Sequence, residues 1–128
     1  MFFGKKKRRC KKRYMVFWDG LLEARFPDFQ EKIEVRVDNF SCSGATLHSD
    51  RVFLNGHHLI AADQKPELDL KILSPEGVLE SRIEIRWYRW LAEKNIFEIG
   101  IRFMDILKEK EEFIDRIINK LRRGYCYL

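Results

Sequence analysis

Histidine and cysteine are scarce in this sequence, with three of each in 128 residues. The only histidine pair is His57-His58. Neighbours on a strand point to opposite faces, and Asn55-Gly56 sets these two beside a turn, so they read as surface loop residues. Cys10, Cys42 and Cys126 are odd in number and widely spaced. They match no zinc pattern and no disulfide framework, and free thiols in a reducing cytoplasm are expected. No apolar run reaches the ~18 residues of a membrane-spanning helix. Met1-Phe2-Phe3-Gly4 is too short for a signal sequence, and charge follows it. No P-loop or GxGxxG occurs, and no G-x-S-x-G elbow surrounds Ser41 or Ser43. The acids are scattered and show no isolated pair. These absences leave no base, nucleophile or metal set, so the expectation is no enzyme, no catalytic residue, no metal and no cofactor.

What is present is a core-forming composition and one concentrated charge. The hydrophobic fraction is 45% with ten Phe, enough for one globular domain without staples. Net charge is +5, but residues 5–13 alone carry eight Lys or Arg and no acid. Taking eight from +5 leaves −3 for the rest. The basic character thus belongs to a flexible arm over 1–13, followed by a mildly acidic body over 14–124. Such a body does not coat nucleic acid, whereas the arm suits phosphates, a nucleotide or an anionic surface.

Along the body, period-2 patterning dominates. Tyr14 to Trp18 is a short apolar run, Asp19-Gly20 reads as a turn, and Leu21 to Phe26 as a strand. From Lys32, Ile33, Val35 and Val37 alternate with Glu34 and Arg36, a half-buried strand. Ala45 to His48 resumes after a polar corner. A strand opens at Pro66 and ends at the hairpin Ser74-Pro75-Glu76-Gly77. A long strand covers Val78 to Trp90, with Ile83, Ile85 and Trp87 assigned to one face. After Glu93-Lys94-Asn95, the last strand places Phe97, Ile99, Ile101 and Phe103 together. Phe113, Ile114, Ile117, Ile118 and Leu121 then recur with helical period. That helix is expected over 105–123, with Asp105 as N-cap and Gly124 as its stop. About six strands in hairpin succession and one helix give a mainly β fold: a small six-stranded antiparallel β-barrel with a C-terminal α-helix.

Two stretches carry binding chemistry. Arg9-Cys10-Lys11-Lys12-Arg13 spells R-x-x-x-R. Its two planar guanidinium forks fit phosphate oxygens or the O6/N7 edge of guanine. The corner Asn39-Phe40-Ser41-Cys42-Ser43-Gly44 fits [D/N]-x-S-x-x-G, with 25 residues between Arg13 and Asn39. An amide and a hydroxyl can address a base edge, and glycine permits close approach. The same residues also suit a plain turn held by Asn and Ser side chains. Trp87 has two readings, a core position or a surface on which a base stacks.

Taken together at this spacing, the two motifs resemble those of the PilZ domain. The likeness extends through Arg82 to Trp87 and Phe97 to Phe103 to the terminal helix, covering roughly residues 8–122. The resemblance implies a barrel that binds cyclic di-GMP, a bacterial second messenger, in the cytoplasm. By position it implies Arg9 and Arg13 on phosphates and guanine Hoogsteen edges, and Asn39 and Ser41 on a guanine. Gly44 would allow the approach, with Arg8 and Trp87 as further contacts. It also implies an arm that folds over the barrel on binding and alters a surface offered to an unnamed protein partner. The alternatives are a small barrel that binds RNA or single-stranded DNA through the arm, and a PilZ-like adaptor that binds only protein.

Overall fold

The computed structural model describes residues 12–54, 56–60 and 65–124. Among these residues eight strands and one helix follow in order: β1 Tyr14–Arg25, β2 Gln30–Phe40, β3 Gly44–Ser49, β4 Phe53–Leu54, β5 His57–His58, β6 Glu67–Ser74, β7 Gly77–Leu91, β8 Ile96–Met104 and α1 Lys108–Arg122. Six of them close into an antiparallel barrel ordered β1-β2-β3-β8-β7-β6. The expected barrel and helix are therefore present. The hairpin succession is broken once. Chain between β3 and β6 leaves the barrel as the small β4–β5 hairpin, and β3 pairs instead with β8.

Alternation explains the core. Ile33, Val35 and Val37 of β2 face inward, as do Leu68, Leu70 and Ile72 of β6 and Ile99, Ile101 and Phe103 of β8. Ile114 and Ile117 join this core from one stripe of α1. Each fully buried Ile contributes about 1.5–3 kcal/mol of transfer free energy.

Two local expectations fail. Asp19-Gly20 is no turn but lies within the continuous strand β1. Gly20 sits opposite Val35 and Ile72, both inward residues. A Cβ there would lie 3.0 Å from Val35 Cγ2. The glycine thus makes room inside the barrel, and Asp19 faces out within 3.5 Å of Arg36 Nε. Asp105 is no N-cap either. The helix begins at Lys108 after Leu107, which makes no side-chain capping bond. Asp105 takes a left-handed φ of 53° in the bend between β8 and α1, a conformation Asp tolerates better than most residues. The far end behaves as expected: Gly124 has φ 81°, and its N–H donates to Leu121 O at 3.0 Å.

Candidate functional site

The polar corner is the tight connection between β2 and β3. The Ser41 side chain holds it. Its Oγ accepts from the backbone N–H of Gly44 at 3.2 Å and of Ser43 at 3.3 Å. Ser41 N–H donates to Gly44 O at 2.8 Å, and Phe103 N–H of β8 donates to Ser43 O at 2.9 Å. Ser41 is 0% exposed. The hydroxyl expected to meet a ligand is thus turned into the loop, where it satisfies buried amides. Gly44 also has a different physical reason from the one expected. A Cβ there would come closer than 3 Å to the Ile101 carbonyl oxygen of β8. The space it leaves is filled by the neighbouring strand.

Arg13 and Asn39 meet. Arg13 Nη1 donates to Asn39 Oδ1 at 2.8 Å, across 26 residues of chain. Of the R-x-x-x-R motif, Arg13 therefore meets the corner; the arm before residue 12 lies outside the described residues. Arg8 and Arg9 lie outside the described residues. So does Cys10, together with Cys126. Cys42 is disulfide-bonded, which corrects the expectation of free thiols at that position. Its partner cysteine is outside the described residues. Spacing along a chain says little about which thiols meet in space.

Two β-bulges place the remaining site residues. Strict alternation from Val37 would point Asn39 into the core, and from Ile85 it would do the same to Trp87. An extra residue in β2, Asp38, lies between the pairs Val37–Leu47 and Asn39–Thr46. An extra residue in β7, Arg86, lies between Ile85–Ile101 and Trp87–Gly100. Each bulge turns the residue after it to the outer face. The assignment of Trp87 to the face of Ile83 and Ile85 is corrected: its side is 43% exposed. One row of cross-strand partners now runs Met15, Asn39, Thr46, Gly100, Trp87 over β1, β2, β3, β8 and β7. Partners in an antiparallel ladder share a face. Asn39 and Trp87 therefore both lie on the outer surface of the barrel, three strand spacings or about 14 Å apart along the curved sheet.

Charged side chains frame that row. On one side, Arg102, opposite Gly44, bonds Glu84 Oε1 at 2.8 Å. On the other, Glu98 accepts from Arg89 Nε at 2.7 Å and meets His48 Nε2 at 3.2 Å. Burial works against the Glu98 carboxylate, but the hydrogen bonds and charges of Arg89 and His48 prevail and hold its carboxyl below the usual range. Asp38, His48 and Glu98 are the one set of potential metal ligands that converges among the described residues, all within 4.8 Å. Sequence reading missed this set because its members come from three strands. Arg89 already occupies Glu98, and Arg36 faces His48 across the ladder, so the group is organised as an ion-pair network. A cleft of about 580 Å³, lined by Leu79, Ser81, Arg82, Glu109 and Phe113, lies against the helix and away from the row. The candidate site is an outer barrel face rather than a cavity.

A closed six-stranded antiparallel barrel joined by a terminal helix is the fold of PilZ domains. No protein-family model matches the sequence. No curated protein matches it either. Solved structures do. The chain is similar to the PilZ domain with cyclic di-GMP of YcgR from Escherichia coli, with a TM-score of 0.60 and 14% identity over 94% of this chain and 95% of that one. It is also similar to the MrkH–cyclic di-GMP complex of K. pneumonia, at TM-score 0.67, 16% identity and 94% coverage. A third likeness is to the inhibitor of motility MotI/DgrA of Bacillus subtilis, at 0.64, 16% and 94%. The chain spans about half of the latter two, 54% and 53%.

Proposed function

We propose that this chain is a receptor for cyclic di-GMP and not an enzyme. The observation that carries the reading is the Arg13–Asn39 hydrogen bond. It joins one residue of each motif, Arg13 and Asn39, which supports the reading. In this reading Arg9 and Arg13 hold phosphate oxygens and guanine Hoogsteen edges through their forks. The Asn39 amide addresses a guanine edge once it exchanges Arg13 for the ligand. That exchange is easy, because the bond is solvent-exposed and a neutral amide is a modest partner. Ser41 and Gly44 act through the shape of the corner, and Arg8 and Trp87 add contacts at either end.

The arm over 1–13 would then settle on the barrel over 14–124 and change the surface offered to a protein partner. No helix among the described residues is long and apolar enough to cross a membrane. The reading sets the chain in the bacterial cytoplasm. A disulfide at Cys42 is unusual there, and alkylation of thiols before extraction establishes its state in the cell. Calorimetric titration tests the binding itself. Micromolar or tighter affinity is expected for cyclic di-GMP. The opposing result is no heat with cyclic di-GMP alongside salt-sensitive binding of oligonucleotides.

A further inference from the structure

We propose that Gly100 is a positioning residue: the side chain it lacks seats the Trp87 indole as a stacking platform at the end of the Asn39 row. The inference rests on the cyclic di-GMP reading. Glycine inside a strand loosens it, because it has nothing to pack and more freedom to lose. β8 is paired on both sides, to β3 and to β7. The left-handed φ that would demand glycine occurs at Gly56, Gly77 and Gly124, not at Gly100. What occupies the place of its Cβ is one side chain. A Cβ at 100 would fall closer than 3 Å to Cε2, Nε1 and Cζ2 of Trp87.

The seat depends on three features acting together. The bulge at Arg86 turns Trp87 outward. Gly100 lets the indole lie against the backbone of β8. Arg89 stands 6.0 Å from the ring centroid, at the limit of a cation–π contact, so it competes weakly for the ring. The result is a half-exposed aromatic ring on the same face as Asn39. A ligand that suits both ends carries a base edge for Asn39 and a second planar ring that reaches three strands round the outer surface. Base–aromatic stacking is worth about 1–3 kcal/mol by alanine substitution, which is roughly a 5- to 150-fold change in affinity.

The test is a double-mutant cycle on the full chain with cyclic di-GMP, using Trp87→Ala, Gly100→Ala and both together. Each single variant is expected to weaken binding within that range, and the double variant no further than Trp87→Ala alone. Wild-type affinity in Gly100→Ala, or additive losses, overturns the inference. Near-UV circular dichroism without ligand reads the seat directly. The Trp87 contribution, defined by Trp87→Ala, should vanish in Gly100→Ala, and its survival overturns the inference even if the chain binds no cyclic di-GMP. That last outcome on binding refutes the function alone. Should Gly100→Ala fail to fold, the double variant must fold, since the clashing indole is gone. Failure of both assigns Gly100 to the barrel and overturns its positioning role.

Discussion

Ser41→Ala separates two roles that sequence reasoning merges. The Ser41 oxygen accepts from two backbone amides, Gly44 N–H at 3.2 Å and Ser43 N–H at 3.3 Å, inside a residue with no exposure. Alanine removes the acceptor and leaves those amides short of a partner. An unsatisfied buried donor costs about 1–3 kcal/mol, and both bonds are long, so a net loss of about 1–2 kcal/mol is expected. For a domain of this size each kcal/mol lowers Tm by roughly 3–6 °C. A fall of about 3–12 °C should therefore appear in thermal unfolding followed by circular dichroism. Ser43→Ala is the control, because among the described residues its side chain bonds only Ser41 Oγ, at 3.4 Å, and its Tm should stay near that of the wild type. Ligand affinity in Ser41→Ala should fall as a consequence of the loosened corner. An unchanged Tm with binding abolished would refute this account and show that the hydroxyl meets the ligand directly.

Gly44→Ala should destabilise more than Ser41→Ala, by about 2–4 kcal/mol in urea melts, since its Cβ meets the Ile101 backbone and not a side chain that can move. Leu107→Asp should stabilise the fold by about 0.5–2 kcal/mol, read from the same melts. It supplies the missing cap at a position already 74% exposed. Glu98 predicts an acid-dependent loss. Its carboxyl lies below the usual range in the folded chain. The contribution is therefore complete above about pH 4.3, the ordinary Glu value, and disappears as pH falls through the lower folded value. Glu98→Gln should differ from wild type in stability at pH 7 and converge with it in acid.

The sequence discloses the fold wherever pattern and geometry share one period. Ile33, Val35 and Val37, the Ser74–Gly77 hairpin and the stripe through Ile114 and Ile117 all read correctly. It misleads where space rather than local conformation selects the residue. Gly20 resembles a turn glycine, yet it is present because Val35 and Val37 lean into its place. Asp105 resembles a cap but serves a left-handed bend.

For the site, Asn39, Ser41, Gly44 and Arg13 are legible as a motif, and the structure gathers them at one end of β2 and β3. Their roles are less legible. Counting by twos cannot see a bulge, so the outward turns of Asn39 and Trp87 are invisible in the pattern. Thr46, Gly100 and the Asp38–His48–Glu98 network depend on strand order, because β3 finds β8 across half the chain.

The central claim is that the arm and the corner form one nucleotide site, and calorimetry of the full chain and of Arg13→Ala with cyclic di-GMP tests it most directly. The account predicts micromolar or tighter binding by the wild type, and a loss of at least about 10-fold in Arg13→Ala, the minimum for a charge-assisted contact worth about 1.5–3 kcal/mol. Because Arg13 is exposed, no change in Tm should accompany that loss. Equal affinity in the two proteins, or no binding by either, would contradict it.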